Sequence, residues 1–156
     1  MIKNYPQNYF ESINKSLIES SYKVLDSKIS SELFFDKINS ELNYLHKNKK
    51  RLFFFGNGAS AAFANHMALD FSKNGKILAR SLSDSSLLTA LSNDYSYEMA
   101  MLEYLKIEGV SSEDLVVTIS SSGNSSDILN VLEYCKKEKI NTLALSGLKE
   151  NNKSIN

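Results

Sequence analysis

His66 and Asp70 stand four residues apart in a stretch whose apolar residues, Ala61, Ala64, Ala68 and Phe71, recur at helical spacing. An imidazole and a carboxylate therefore share one helix face. Such a pair can act as acid–base partners or lend two ligands to a metal. Taken singly, His66 is more often a packed or surface histidine, and Asp70 a solvated helix charge. What gives the pair weight is where its helix begins. The apolar run Leu52 to Phe55 stops at Gly56, and Asn57-Gly58-Ala59-Ser60 makes a small-residue turn before the helix. A helix start presents unpaired N–H groups and the positive end of its dipole, which suits an anion such as phosphate.

A second loop carries the more specific signal. Leu115-Val-Val-Thr-Ile119 is an unbroken, β-branched strand, and Ser120-Ser121-Ser122-Gly123-Asn124-Ser125 follows it, ahead of a helix bearing Ile128, Val131, Leu132 and Cys135. Hydroxyls on Ser120, Ser121, Ser122 and Ser125, with Gly123 allowing close backbone approach, make a neutral phosphate cradle that needs no lysine. Serine-rich loops also serve simply as turns and caps; the strand before and the helix after favour phosphate. The loop is not a Walker sequence, and Gly56-Asn-Gly-Ala-Ser60 lacks the third glycine of a dinucleotide fingerprint, so no nucleotide cofactor is expected. Asn93-Asp94 reads first as a helix stop, with a weaker case for contacting ligand hydroxyls.

The elements around these loops follow from periodicity. Residues 1–50 read as two amphipathic helices, the first running through Phe10, Ile13, Leu17, Ile18, Tyr22 and Leu25, the second starting near Ser30 or Ser31. Residues 51–156 alternate strands (Leu52–Phe55, Ile77–Ser81, Leu115–Ile119, Asn141–Leu145) with helices. That order predicts an α/β fold with a parallel sheet and right-handed crossovers. In such sheets ligands lie beyond the carboxyl ends of the strands, where both loops emerge.

Composition narrows the partners. Lys+Arg and Asp+Glu are equal at 18, with 42% hydrophobic and 23% charged residues. A balanced charge argues against nucleic acid or an anionic membrane surface as the main partner. Met1-Ile-Lys-Asn-Tyr-Pro6 leads into polar sequence, so no secretory leader is expected. The single cysteine, Cys135, sits on an apolar helix face and reads as a buried thiol in a reducing, cytoplasmic protein.

Three ordered motifs, Gly56-Asn-Gly-Ala-Ser60 with His66 and Asp70, Leu87 to Asp94, and Ile119 to Ser125, resemble the phosphoheptose isomerases of the sugar isomerase (SIS) domain superfamily. The resemblance implies a flavodoxin-like three-layer sandwich and a homotetramer with active sites between subunits. It implies interconversion of sedoheptulose 7-phosphate and a heptose 7-phosphate for lipopolysaccharide or capsule. Phosphate and sugar contacts would fall on Asn57, Gly58, Ala59, Ser60, Asn93, Asp94, Ser120, Ser121, Ser122 and Ser125. The phosphate would lie mainly on residues 120–125, and 56–60 would shape the sugar side. Asp70 takes the place of the family's base glutamate, one methylene shorter, with His66 as its companion; in some members that pair binds zinc. Ala59 stands where the family has a second glycine. The family pattern continues into a further strand and a long helix bearing a glutamine and a histidine. Residues 149–156 offer no counterpart to these, nor to the glycine pair after Ser146-Gly147, so the domain over 51–156 is expected to lack that strand and helix. Two other functions fit the same motifs: a non-catalytic sugar-phosphate-binding or regulatory protein, and an isomerase of a different phosphosugar.

Overall fold

The computed structural model describes residues 4–148 and 151–155; readings that rest on Met1 to Lys3, Lys149, Glu150 and Asn156 lie outside them. The chain divides into two compact units, one up to Ile38 and one from Asn39 onward.

In the first unit, helix α1 (Tyr5–Ile18) is followed by a short antiparallel hairpin of β1 (Tyr22–Val24) and β2 (Ser27–Ile29), with Tyr22 opposite Ile29. The hairpin corrects the helical reading of residues 20–29. Tyr22-Lys-Val24 and Ser27-Lys-Ile29 alternate with a period of two, and Leu25-Asp26 forms the two-residue turn, with Leu25 at φ 52°. Three residues on either side of a turn are too few for periodicity to tell strand from helix. Helix α2 (Ser31–Asn48) then begins as the sequence indicates, with Ser30 Oγ accepting the Leu33 N–H at 3.3 Å.

The second unit is built on four parallel strands: β3 (Arg51–Gly56), β4 (Leu78–Ser81), β5 (Leu115–Ile119) and β6 (Asn141–Leu145), in the order β4-β3-β5-β6. Between them run α3 (Ala59–Lys73), α4 (Ser85–Asp94), α5 (Tyr97–Ile107) and α6 (Ser126–Glu138). Side chains of adjacent strand residues point to opposite faces, and both faces are buried. Phe53, Phe55 and Val116 meet Leu91 of α4, Met101 and Leu105 of α5, and Ile128, Val131 and Cys135 of α6. Leu52, Phe54, Leu115 and Val117 meet Ala64 and Ala68 of α3 and Leu45 of α2. This is the expected three-layer α/β sandwich. Burial drives the Cys135 thiol up to about 12, so it is an inert packing group.

The chain leaves β3 for β4 on one side and leaves β5 for β6 on the other. The direction of winding reverses between β3 and β5, and a crevice opens at the carboxyl ends of strands at such a switch point.

Candidate functional site

The glycine turn and the serine loop both emerge at that switch point. Gly56 and Ile119 are register partners at the ends of β3 and β5, so residues 57–60 and 120–125 start side by side. Asn57 joins them further: its Nδ2 donates to Asp127 Oδ2 at 2.7 Å, and its Oδ1 accepts the Tyr97 hydroxyl at 2.8 Å.

Helix α3 begins at Gly58, whose φ of 55° and ψ of −122° suit glycine and whose missing side chain leaves no cap. Ser60 donates its N–H back to the Asn57 carbonyl at 2.9 Å. Ala59 is exposed and already helical, so its methyl occupies the family's glycine position without backbone strain.

Helix α6 is likewise uncapped. Ser125 is at its N-cap position but makes no side-chain cap bond; its Oγ lies 3.3 Å from Ser120 Oγ instead. Ser120 Oγ also accepts the Gly123 N–H at 3.2 Å, and Ser122 Oγ accepts the Asn124 N–H at 3.2 Å. The hydroxyl proton of Ser122, and one of the two on the Ser120–Ser125 pair, are left to donate outward. Ser121 anchors the loop from behind, its carbonyl accepting the Gly147 and Leu148 N–H groups at 3.1 and 2.8 Å. Gly123, at φ +63°, is packed on the carboxamide of Asn152 so closely that no Cβ would fit. Asn152, 3% exposed, donates in turn to Ser146 Oγ at 2.9 Å.

His66 and Asp70 do pair, with Nε2 and Oδ2 3.3 Å apart, but they sit exposed at 63% and 41%. Asp70 follows Ala59 by eleven residues, which places it about 16 Å along the helix axis from the start of α3. The His66–Asp70 pair and the two loops are thus at different places on one chain. Among the described residues no group of three or more His, Cys, Asp and Glu side chains gathers that could hold a metal. Two exposed ligands fall short of the three that a catalytic zinc keeps, so the pair alone does not fit a zinc centre. Asn93 and Asp94, both exposed at the end of α4, bond to each other at 3.1 Å.

Tyr97, Asp127 and Asn152 were not singled out from the sequence. Nothing local marks Asp127: its partner is seventy residues away, and only the fold brings them together.

The family model of the SIS domain matches residues 41–147. Phosphoheptose isomerase 2 of Campylobacter jejuni is 39% identical over 108 residues, which cover 65% of this chain and 53% of that protein. The phosphoheptose isomerase of Aneurinibacillus thermoaerophilus is 33% identical over 142 residues, covering 85% and 71% respectively. That of Nitratiruptor is 34% identical over 146 residues, covering 88% and 76%. The chain thus spans about half the length of the first relative and about three quarters of the last. Among solved structures, a phosphoheptose isomerase from Francisella tularensis superposes with a TM-score of 0.77 at 21% identity, over 99% of this chain and 78% of that one. One from Neisseria gonorrhoeae gives 0.73 at 24%, over 96% and 77%. The structural likeness establishes the fold. The sequence likeness goes further, with the family model spanning both loops: the chain belongs to the phosphoheptose isomerase family of SIS-domain proteins.

Proposed function

We propose that the protein is a sugar-phosphate aldose–ketose isomerase that interconverts sedoheptulose 7-phosphate and a heptose 7-phosphate. The observation that carries this reading is the meeting of two uncapped helix starts, α3 and α6, at the switch point of a chain in this family. The N–H groups at the start of α6 and the Ser120, Ser122 and Ser125 hydroxyls bind the phosphate. Residues 57–60 face the sugar, with Asn93 and Asp94 further along it. Isomerisation moves one proton between adjacent carbons through an enediolate. Asp70 removes that proton, and His66 holds the carboxylate and steadies charge on the neighbouring oxygen.

A heptose 7-phosphate carries its phosphate at the opposite end from its carbonyl, yet a seven-carbon chain is shorter than the about 16 Å along α3 that separates Asp70 from the loops. The separation suits a site completed by a second copy of the chain. Tyr9, Phe10, Ile13 and Leu17 of α1 are exposed apolar residues in need of cover, which supports a homo-oligomer, a tetramer on the family pattern. The product serves lipopolysaccharide or capsule heptose, and the balanced charge and single buried thiol support a cytoplasmic location. No helix among the described residues is long and apolar enough to cross a membrane.

The second reading, a binding or regulatory protein, is favoured by one feature: the exposure of His66 and Asp70. Turnover separates the two. Incubated with sedoheptulose 7-phosphate and followed by NMR, the purified protein forms the aldose, and Asp70→Asn abolishes this while leaving binding intact. No turnover, with the sugar phosphate still raising the melting temperature, would establish the binding reading instead.

A further inference from the structure

The carboxamide of Asn57 is held at both ends. Its nitrogen donates to Asp127 Oδ2 at 2.7 Å and its oxygen accepts from the Tyr97 hydroxyl at 2.8 Å. An ionised carboxylate only accepts, so Asp127 dictates which end of the amide is nitrogen, and Tyr97, donating to the other end, agrees. Asp127 cannot swing away. It is 4% exposed, and its second oxygen accepts the Ile128 N–H at 2.9 Å. Its charge strengthens the bond to Asn57 in a buried setting, and its place in the first turn of α6 is favourable to that charge. Three elements therefore meet on one side chain: the turn after β3, the first residue of α5 and the first turn of α6. One N–H and one lone pair of the Asn57 amide remain unused by these bonds, each in a set direction.

We propose that Asp127 and Tyr97 are positioning residues for the sugar side of the site. Through Asn57 they fix the turn 57–59, so that its backbone and the free edge of the amide meet the polyol chain of the substrate. The proposal rests on the sugar-phosphate reading given above. It competes with a simpler role, in which Asp127 only props the start of α6 beneath the serine loop. The two differ in which half of the ligand they affect. A prop for α6 would govern phosphate; a clamp on Asn57 governs the sugar.

The test uses the intact protein, titrated calorimetrically with sedoheptulose 7-phosphate and separately with inorganic phosphate. Amide hydrogen exchange at residues 56–60 is followed without ligand. In Asp127→Ala, sugar-phosphate affinity falls about tenfold, as expected for loss of a buried charge-assisted hydrogen bond. Inorganic phosphate affinity stays within about twofold. Exchange at 56–60 accelerates. Asp127→Asn, whose single carbonyl can accept only one of the two N–H groups that Asp127 accepts, shows a loss of the same kind, and Tyr97→Phe shows a smaller one. Equal losses for both ligands, or unaltered exchange, would overturn the proposal. Should Asp127→Ala fail to fold, Tyr97→Phe decides by the same two readouts. Should the unmodified protein bind phosphate but not sedoheptulose 7-phosphate, the functional reading falls, and exchange at 56–60 still decides whether Asp127 fixes the turn.

Discussion

At the amino ends of the sheet strands, polar groups find their partners within the chain, whereas at the carboxyl ends three helices begin and only one of them has a side-chain bond at its N-cap. At the amino end Asp114, 1% exposed, takes the backbone N–H of Arg51 at 2.8 Å, the Arg51 guanidinium at 2.9 Å and both the N–H and hydroxyl of Ser111. Beside it Lys50 and Tyr44 both bond Glu113, at 2.6 and 2.9 Å, and hold its carboxyl below the usual range. Asn141 bonds Glu41 at 3.0 Å. An open hollow of about 220 Å³ is lined by Glu41, Tyr44, Ser112, Glu113 and Asn141, yet both of its carboxylates are already engaged. At the carboxyl end, Asp84 caps α4 by accepting the N–H groups of Ser86 and Leu87, at 2.8 and 3.0 Å. Helices α3 and α6 start with no side-chain bond at the cap position, although Asp127 in the first turn of α6 takes the Ile128 N–H. One end spends its polar groups on stability. The other withholds them, and a ligand can use what is withheld.

The largest effect that would test this contrast is at the closed end. Burial alone would raise Asp114, but the bonds from Arg51 and Ser111 outweigh it and the carboxyl lies below its ordinary value. Asp114→Ala leaves the Arg51 guanidinium without its buried partner and costs about 3 kcal/mol in denaturant unfolding. Sugar-phosphate affinity stays as it was. Because the folded-state value is depressed, this contribution is complete above the unfolded value, roughly pH 4, and fades as pH falls through the folded one. The acid limb of stability against pH is therefore shallower in the variant. A loss of ligand affinity in Asp114→Ala would mean the two ends are not independent.

Next is a swap of the rule at the open end. Ser125→Asp gives α6 the capping carboxylate that Asp84 gives α4. The cap raises Tm by about 2–4 °C, while a fixed negative charge in the cradle weakens phosphate binding at least about tenfold. Stability and binding move in opposite directions, as they must if the helix start is reserved for an anion. A variant that gained stability and still bound phosphate as well as before would place the anion elsewhere.

How far the sequence shows this division depends on the range of the interactions. The four strands of the sheet were legible to within a residue or two, β4 and β6 because short apolar stretches recur between the helices, and β3 and β5 because unbroken aromatic or β-branched runs ahead of glycine or serine permit little else. Both loops were legible for the same reason. The hairpin at 22–29 was not, since each strand is too short to display a period. The Tyr97–Asn57–Asp127 bridge, the Arg51–Asp114 pair and the seat of Asn152 on Gly123 were not legible either. Each joins residues about thirty to seventy positions apart, and nothing local marks either partner. His66 and Asp70 show the reverse case. Their local relation, one helical turn, came through intact, but their distance from the loops followed only from where α3 begins.

Helix α4 supplies the two smallest tests. Its Asp84 carboxyl is held below the usual range by the Ser86 hydroxyl and by the N–H groups of Leu87 and Ser86. Asp84→Ala lowers Tm by a few degrees and leaves phosphate affinity unaltered, since the anion at this helix start is the protein's own. Ser92, further along α4 beside Asn93 and Asp94, has a buried hydroxyl with no hydrogen-bond partner among the described residues. A buried hydroxyl left unpaired is a cost that alanine removes, so Ser92→Ala should raise stability by about 1 kcal/mol, seen as a small rise in Tm. The measurement that sharpens the comparison is affinity in the same variant. Unaltered sedoheptulose 7-phosphate binding assigns Ser92 to the packing of α4. A gain in Tm coupled to weaker binding would assign it instead to the open end, as a donor kept unpaired for a ligand hydroxyl near Asn93 and Asp94.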